Sequence, residues 1–364
     1  MIYLDNAATT RLDDRVFEAM LPYLKDDYGN PSAIYDLGQR AKTAIENARE
    51  IMANAINAEP EQIVFTSGAT ESNNWLGMVF NMSAANSEHP SVTRNTSTVS
   101  EDGANVLSKM MVNNETGKIN DIKWFVEKAK HTFEHSNAKY YTHTDATQAF
   151  GHVKIDVKDL DVDFLTLSAH KFHGPKGVGI MYIKNARTIK PLLLGGGQEH
   201  GMRSGTENVP AIVGMAKAAE LFNYDETTDK YIKMLKYTII DGIRKIYIDL
   251  NDEDGVILIP PDASAYYNIS PFYVNNIVPI VFKRIPAENI VMALNKRGIC
   301  CSTGSACHNN SSSGHGYSYL EMGINKQDLN SVVRFSLSGY NTEDEIKELI
   351  HSLSIIIPKE RAIR

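Results

Sequence analysis

The sequence predicts an α/β protein with a mostly parallel sheet flanked by helices, followed by a smaller α+β domain. Strand and helix patterns alternate through residues 60–220, as in chains that build a parallel sheet with helices on both faces. A chain of 364 residues, 43% of them hydrophobic, is long enough to bury two cores. We expect a large domain of residues 11–222 and a small domain made of residues 1–10 and 223–364.

Local patterns justify the elements in turn. Runs rich in β-branched and aromatic residues predict strands at residues 62–66, 140–145, 164–167, 256–259, 277–282 and 332–335. Helical patterns occur at residues 39–56, 286–297 and 342–354. The polar stretch 93–105 carries no helical stripe and predicts a loop. Pro279 cannot donate to a β-ladder, which favours an edge position for its strand.

Composition narrows the classes of function. The net charge of −7 argues against a surface built for nucleic acid. No apolar run is long enough to span a bilayer, and the first residues lack the basic start of an export signal, so we expect a cytoplasmic protein with no membrane partner. The 3 cysteines lie close together and cannot staple distant parts of the fold, which is typical of a reducing compartment.

A turn at Ser67 and Gly68 joins a strand to a helix that begins at Ala69. The free N–H groups and the dipole at such a helix start favour a dianion, and Thr70 adds a hydroxyl donor. Many strand–turn–helix units share this pattern, so alone it is a weak indication of a phosphate site.

Two residues further along suggest the chemistry of pyridoxal phosphate (PLP). Lys171 follows an apolar run and precedes a turn rich in glycine and proline, so its amine is expected at a strand end, where it can form a Schiff base. Asp145 ends a β-rich run, with Gln148 three residues on, and can pair with the pyridine nitrogen of PLP. The structural alternative for Lys171 is an exposed lysine in a loop, and the alternative for Asp145 is a helix N-cap.

In this order, the turn, the acid and the lysine resemble the class V aminotransferase group of fold-type I PLP enzymes, and within it the cysteine desulfurases of the NifS/IscS kind. The likeness runs nearly end to end. Further matching segments are residues 2–10, 30–32, 112–117, 201–206, 302–307 and 334–337. The resemblance implies a fold-type I PLP-dependent transferase with a seven-stranded sheet.

The resemblance also implies roles for individual residues. His89 would stack on the PLP ring and handle protons, and Thr206 would reach the phosphate of a neighbouring subunit, which requires a homodimer. The implied cofactor-binding residues are Ala69, Thr70, His89, Asn114, Asp145, Gln148, Ser168, His170, Lys171 and Thr206. The implied substrate-binding residues are Asn6, Asn114 and Arg334, with Arg334 pairing with the substrate carboxylate.

Cys307 lies in a polar run of small residues, where a thiol is available for reaction and contributes little to packing. Residues 302–307 reproduce the Ser-x-Gly-Ser-Ala-Cys loop of the family. The resemblance implies that Lys171, His89 and Cys307 are catalytic: L-cysteine becomes L-alanine and leaves a persulfide on Cys307 for a sulfur-acceptor protein, such as an iron–sulfur scaffold, or for thiolation. Cys300 and Cys301 are expected to pack, and the spacing disfavours a metal site.

One stretch departs from the family pattern. His89 and Asn114 are 25 positions apart, where the family usually has a helix and two strands' worth of chain. A shortening around residues 80–112 should expose an apolar sheet edge or require another element to cover it. Other functions remain open: a selenocysteine lyase, a cysteine-sulfinate desulfinase, another class V enzyme, or a truncated relative with a binding or scaffold role.

Overall fold

The computed structural model describes residues 1–98, 103–259, 272–304 and 316–362. Within these ranges the strands are β1 (Ile2–Tyr3), β2 (Ile63–Thr66), β3 (Asn81–Ala84), β4 (Asn105–Ser108), β5 (Tyr140–Asp145), β6 (Phe164–Ser168), β7 (Gly179–Ile183), β8 (Val256–Leu258), β9 (Ile277–Phe282), β10 (Ile299–Cys300), β11 (Ser302–Thr303) and β12 (Val332–Ser336). The helices are α1 (Asp14–Lys25), α2 (Asp36–Ala55), α3 (Ala69–Val79), α4 (Pro90–Thr93), α5 (Ile122–Phe133), α6 (Val157–Leu160), α7 (Val209–Phe222), α8 (Glu226–Asp249), α9 (Ala287–Asn295), α10 (Tyr317–Glu321) and α11 (Glu343–Ala362).

The chain divides into two compact units. The large unit comprises Thr10–Met111 and Asn120–Tyr224, and the small unit comprises Met1–Thr9, Val112–Ile119 and Asp225–Arg364. Residues 112–119, which we assigned to the large domain, group with the small unit. The reason is backbone pairing: Ile119 donates to the carbonyl of Phe272, and Val274 donates to the carbonyl of Gly117.

The large unit contains a sheet in the order β2-β7-β6-β5-β4-β3. Strands β3, β4, β5 and β6 run parallel, and β7 is antiparallel to both β6 and β2. Strand β2 therefore runs in the same direction as β6, and five carboxyl ends share one edge of the sheet. The predicted α/β class is confirmed, but within the described ranges this sheet has six strands where seven were expected.

The shortened stretch of the chain closes the edge of this sheet at β3. Helix α4 is only one turn long, and the chain then returns alongside β3. Ser97 donates its backbone N–H to the carbonyl of Met82 at 2.7 Å, and its hydroxyl accepts the N–H of Met82 at 3.0 Å. Met82 is buried in a core with Trp75 and Phe164. We expected either an exposed apolar edge or an edge covered by another element. The second outcome holds, because residues 96–97 cover the edge.

Two helices of the large unit, α1 and α7, begin at side-chain caps that their sequences supply. Asp13 accepts the backbone N–H of Arg15 at the start of α1, and Asn208 caps α7, where Pro210 occupies the first turn. Both α1 and α2 pack against α7. Among the described residues, no helix combines the length and the apolar character that crossing a membrane would need.

The small unit contains an antiparallel sheet in the order β11-β12-β9-β8, and β1 pairs in parallel with β10. Helix α11 packs against α8 and α9 over a core of buried aliphatic residues. The edge position expected for Pro279 is wrong, since β9 lies between β12 and β8. Strand β8 pairs only with residues 280–282, so it ends before it reaches the proline and needs no N–H from it.

Candidate active site

The carboxyl edge of the large sheet gathers the residues that the sequence singled out in this unit. Asp145 is the last residue of β5, and Lys171 lies in the 3-10 turn Ala169–Lys171 that directly follows β6. The Ser67-Gly68 turn follows β2, which has the same direction. Ligands of open α/β sheets bind outside the carboxyl ends of the strands. The topology therefore brings the acid, the amine and the helix start to one edge.

The strand–turn–helix segment leaves room for a ligand close to the backbone. Gly68 has φ +144, and a Cβ on Gly179 would lie 2.7 Å from Gly68 Cα, so the turn and β7 approach as only glycines allow. A Cβ on Gly68 itself would lie 3.4 Å from Ser168 Oγ. Helix α3 starts immediately afterwards at Ala69 and Thr70, with first-turn N–H groups that have no carbonyl of their own helix to bind. This donor set fits a phosphate.

His170, in the turn that follows β6, carries a neutral imidazole. Burial lowers the pKa of His170 to about 4, and the neighbouring Lys171 and Lys176 act in the same direction. The imidazole is therefore uncharged at neutral pH. The backbone carbonyl of His170 accepts both the N–H and the hydroxyl of Thr10, which anchors the turn that carries the lysine.

Asp145 is held by donors on both oxygens. Its Oδ1 accepts the backbone N–H of Thr147 at 3.0 Å, and its Oδ2 accepts Asn73 Nδ2 at 2.8 Å. The side chain is 6% exposed, and Gln148 is also buried. A buried, oriented carboxylate at the edge that also carries an amine is the partner that a pyridinium nitrogen needs.

His89 caps the short helix α4 and is linked to Asp145 through two further residues. His89 Nδ1 lies 2.8 Å from Ser91 Oγ, and Asn73 Nδ2 donates to that same hydroxyl oxygen at 2.9 Å. Sequence reasoning missed Asn73 and Ser91. The available signal was that Asn73 lies four residues after Ala69, on the same face of α3, and that Ser91 follows a histidine in a first turn.

A second histidine of β5 has a structural role. His143 bridges three strands, because its Nδ1 lies 2.8 Å from Ser108 Oγ and its Nε2 lies 3.1 Å from Thr166 Oγ1. Burial lowers the pKa of His143 to about 4, although the charge of Asp145 acts in the opposite direction. A neutral histidine thus ties β4, β5 and β6 together just below the edge that carries Asp145.

Thr206 is exposed, at the end of a segment that ion pairs hold in place. Arg203 forms a bidentate pair with Glu71 in the first turn of α3, at 2.9 and 3.2 Å. Burial acts to raise the pKa of Glu71, but hydrogen bonds from Arg203 and Ser67 lower it below its ordinary value. Ser67, Arg203 and Thr206 also line a cavity of about 220 Å³. The Thr206 segment is therefore anchored to the helix start.

The predicted substrate residues meet in the small unit. Arg334 Nη1 donates to the backbone carbonyl of Asn114 at 2.8 Å, and Nη2 lies 3.2 Å from Asp5 Oδ1. Asn6 Nδ2, one residue on, donates to the carbonyl of Ser336 at 2.9 Å. Among the described residues, the buried Arg334 Nε has no hydrogen-bond partner. An oriented guanidinium with an N–H to spare can bind a carboxylate. Asp5 was not among the predicted residues.

The cysteines separate into two groups. Cys307 lies outside the described residues. Cys301 packs against the core of the small unit, and burial, with smaller effects from Asp5 and Cys300, raises its pKa to about 12. Since the thiolate is the nucleophile, Cys301 is unreactive at neutral pH. Within the described ranges no group of three or more His, Cys, Asp or Glu side chains is placed to hold a metal ion.

A family model agrees with this arrangement. The model described as "Aminotransferase class-V" matches residues 2–98 and 81–349, so both matches include residues 81–98 of the shortened stretch.

Relatives with a name match over nearly their full length. The protein named cysteine desulfurase IscS of Methanosarcina thermophila is 36% identical over 396 residues, which cover 99% of this chain and 93% of that relative. The protein of the same name from Clostridium botulinum strain Hall is 36% identical over 399 residues, covering 99% of this chain and 95% of that relative. Both alignments are longer than the chain, so the relatives carry segments that it lacks.

Solved structures also superpose on this chain over nearly its whole length. A NifS-like protein superposes with a TM-score of 0.83 at 30% identity, covering 98% of this chain and 99% of that chain. A protein named SspA, solved in complex with cysteine, superposes with a TM-score of 0.71 at 26% identity, covering 94% of this chain and 100% of that chain. With the family model, these matches support one conclusion: the chain belongs to the aminotransferase class-V family.

Proposed function

We propose that this protein is a PLP-dependent cysteine desulfurase, which converts L-cysteine to L-alanine and retains the sulfur as a persulfide on Cys307. The observation that carries the proposal is the shared sheet edge, where a buried Asp145 and Lys171 follow neighbouring strands beside the N-terminus of α3. Cysteine desulfurase is also the name that the relatives carry.

Different residues of the large unit would contact the phosphate and the ring of the cofactor. Ala69, Thr70, Ser168 and His170 would hold the phosphate with backbone N–H, hydroxyl and neutral imidazole donors. Asp145 would pair with the ring nitrogen, while Gln148 and His89 would contact the ring system. When bound, PLP withdraws electrons from the substrate α-carbon and so stabilises the loss of its proton.

The chain's own side chains then handle the proton and orient the substrate. Lys171 Nζ would hold the cofactor when no substrate is bound and would accept the α-proton of the substrate. His89 would stack on the ring and handle protons. Arg334 pairs with the substrate carboxylate, with Asn6 and Asn114 beside it. These assignments follow the family motif residue by residue.

Cys307 performs the sulfur transfer. Its thiolate attacks the sulfur of the substrate, the carbon–sulfur bond breaks, and a sulfur–sulfur bond forms on the enzyme. The substrate carbon takes up a proton, so that L-cysteine and one enzyme thiol give L-alanine and one enzyme persulfide. A thiol reductant or a sulfur-acceptor protein then removes the outer sulfur, for iron–sulfur cluster assembly or for thiolation.

Two further features complete the proposal. Thr206 reaches the PLP phosphate of a second copy, so the active form is a homodimer with two composite sites. The anchoring of its segment by Arg203 and Glu71 supports a defined position for this threonine. The close spacing of the 3 cysteines along the sequence, which prevents them from linking distant parts of the fold, supports a reducing compartment, the cytoplasm. Light scattering that finds a fully active monomer would contradict the role of Thr206.

The decisive test uses purified protein loaded with PLP, L-cysteine and dithiothreitol, with alanine and sulfide quantified together. We expect equal amounts of both products from the wild type and none from Cys307→Ser. Cys301→Ser is the matched control and should retain activity, because the part-buried Cys301 thiol packs against the core of the small unit and burial raises its pKa to about 12. Protein that stays colourless with PLP, or releases no alanine, would refute the enzyme and leave the scaffold alternative.

The same variants separate the alternative substrates. Release of selenium from selenocysteine, or of sulfite from cysteine sulfinate, can proceed without attack by a thiol. If Cys307→Ser retained those activities while the wild type turned over L-cysteine poorly, the lyase or desulfinase alternative would replace our proposal.

A further inference from the structure

Asn73 and Ser91 connect the carboxylate of Asp145 to the imidazole of His89. Asn73 Nδ2 donates to Asp145 Oδ2 at 2.8 Å and to Ser91 Oγ at 2.9 Å. Ser91 Oγ in turn lies 2.8 Å from His89 Nδ1. The two linking side chains are shielded from water, since Asn73 is 0% and Ser91 8% exposed. We refer to Asp145, Asn73, Ser91 and His89 as the relay.

The direction of each hydrogen bond in the relay follows from which groups can donate. The amide nitrogen of Asn73 has two hydrogens, and its two acceptors use both. The backbone N–H of Ser91 also donates to His89 Nδ1, at 3.2 Å, and a backbone N–H can only donate. His89 Nδ1 must therefore be an acceptor, and the hydrogen of the neutral ring lies on Nε2. The Ser91 hydroxyl accepts from Asn73 and directs its own hydrogen at Nδ1.

We infer that Asn73 and Ser91 are positioning residues, which hold His89 in its Nε2–H tautomer and tie that state to the carboxylate of Asp145. The nitrogen that exchanges protons with a ligand is then always Nε2. The catalytic meaning of the relay rests on the proposed function, in which His89 handles protons. Its structural part, the tautomer, does not depend on that function.

A purely structural role for Ser91 makes a different prediction. As a first-turn residue of α4, Ser91 would contribute to folding through its backbone and its burial, and loss of its hydroxyl would lower stability without changing His89. Thr93 provides the matched control, because it lies in the same turn and its carbonyl, rather than its hydroxyl, accepts Thr96 Oγ1.

The test is long-range 1H–15N NMR of holoenzyme labelled with 15N-histidine, at a pH where the ring is neutral. His89→Gln identifies the His89 signals. We expect the Nε2–H tautomer in the wild type, with an Nδ1 shift typical of a hydrogen-bonded acceptor. Ser91→Ala and Ser91→Cys should move Nδ1 towards the unbonded value and shift the tautomer ratio by about two- to tenfold, which is the worth of one net hydrogen bond. Ser91→Thr should restore the wild-type spectrum, and Thr93→Ala should not change it.

Kinetics give the second readout. In the Ser91→Ala holoenzyme, kcat for alanine formation should fall by about the same two- to tenfold factor, with KM for L-cysteine changed less than twofold. An Nδ1–H tautomer in the wild type, or Ser91 variants with unchanged His89 signals, would overturn the inference. A wild type that makes no alanine but shows the expected tautomer shifts would instead refute the proposed function and leave the relay standing.

Discussion

Arg334 Nη2 lies 3.2 Å from Asp5 Oδ1, which joins the first residues of the chain to a strand near its end. The same guanidinium donates to the carbonyl of Asn114, so three segments far apart in sequence meet at one side chain. Arg334 is only 7% exposed. A guanidinium held this way presents its remaining N–H groups in a fixed orientation, which suits a carboxylate ligand.

The first prediction concerns that orientation. Arg334→Lys keeps the charge but loses the planar fork, and one ammonium cannot satisfy Asp5, the carbonyl of Asn114 and a substrate carboxylate in the same geometry. We expect KM for L-cysteine to rise about 10- to 100-fold, with a smaller fall in kcat. Steady-state kinetics of alanine formation measure both. The control is Arg284→Lys, which alters a half-exposed pair with Asp252 and should change neither value.

The second prediction concerns the Thr206 segment. Glu71→Gln removes the charge that pairs with Arg203, in a half-buried pair worth about 1 kcal/mol. If this pair positions the segment near the phosphate, the dissociation constant of PLP should rise about fivefold. Titration of apoprotein followed by PLP absorbance measures it. Glu220→Gln, in the exposed pair with Lys217, should leave the constant unchanged, and an unchanged constant in Glu71→Gln would contradict the anchoring role.

The third prediction tests how the shortened stretch protects the sheet. Ser97→Ala removes the acceptor for the buried N–H of Met82, and a buried donor without a partner costs about 1–3 kcal/mol. We expect the free energy of unfolding in urea to fall by about that amount. Thr98→Ala, one residue further on, is the control. Equal stability of the two variants would show that the Ser97 hydroxyl contributes nothing to closing the edge.

The fourth prediction is a pH dependence of stability. The pKa of His143 is about 4 in the folded protein and 6.5 for an ordinary histidine. Between these values the unfolded chain binds the proton more tightly, so stability is complete above pH 6.5 and is lost as the pH falls towards 4. We expect protonation of this histidine in the unfolded chain to lower the free energy of unfolding by about 2 kcal/mol at pH 5.

Urea denaturation at pH 7 and pH 5 checks this dependence. His143→Gln should be less stable at pH 7 but should lose less stability on acidification than the wild type. His131→Gln, at an exposed position, should follow the wild type. If all three proteins lost the same free energy of unfolding between pH 7 and pH 5, the lowered pKa of His143 would be contradicted.

Much of the site in the large unit could be predicted from the sequence, because its residues follow strands. Asp145 ends a β-rich run and Lys171 lies shortly after an apolar run, and parallel strands place their carboxyl ends at one edge. The Gly68 turn was visible for the same reason. The Asn73–Ser91 link was not, since it joins a helix to the next short helix through space, and no spacing along the chain encodes a contact of this kind.

The sequence also gave two wrong expectations with instructive causes. Pro279 was expected at a sheet edge, but β9 is interior and it is the neighbouring strand β8 that stops short. Residues 112–119 were expected in the large domain, yet their backbone pairs with residues 272–274. The position of Pro279 in its sheet and the grouping of residues 112–119 both depend on which backbone segment pairs with them. That pairing is set by the tertiary fold.

By itself the sequence determined the class of fold, and it singled out the acid, the amine and the helix start that we propose bind PLP, since each depends on local pattern and on the common direction of parallel strands. Only the tertiary structure decided how the shortened stretch covers β3, how Asp5 and Asn114 hold Arg334, and how Asp145 is linked to His89. Those features are contacts between segments distant in sequence. Their geometry depends on folding, because buried polar groups form hydrogen bonds with whichever partners the tertiary fold places beside them.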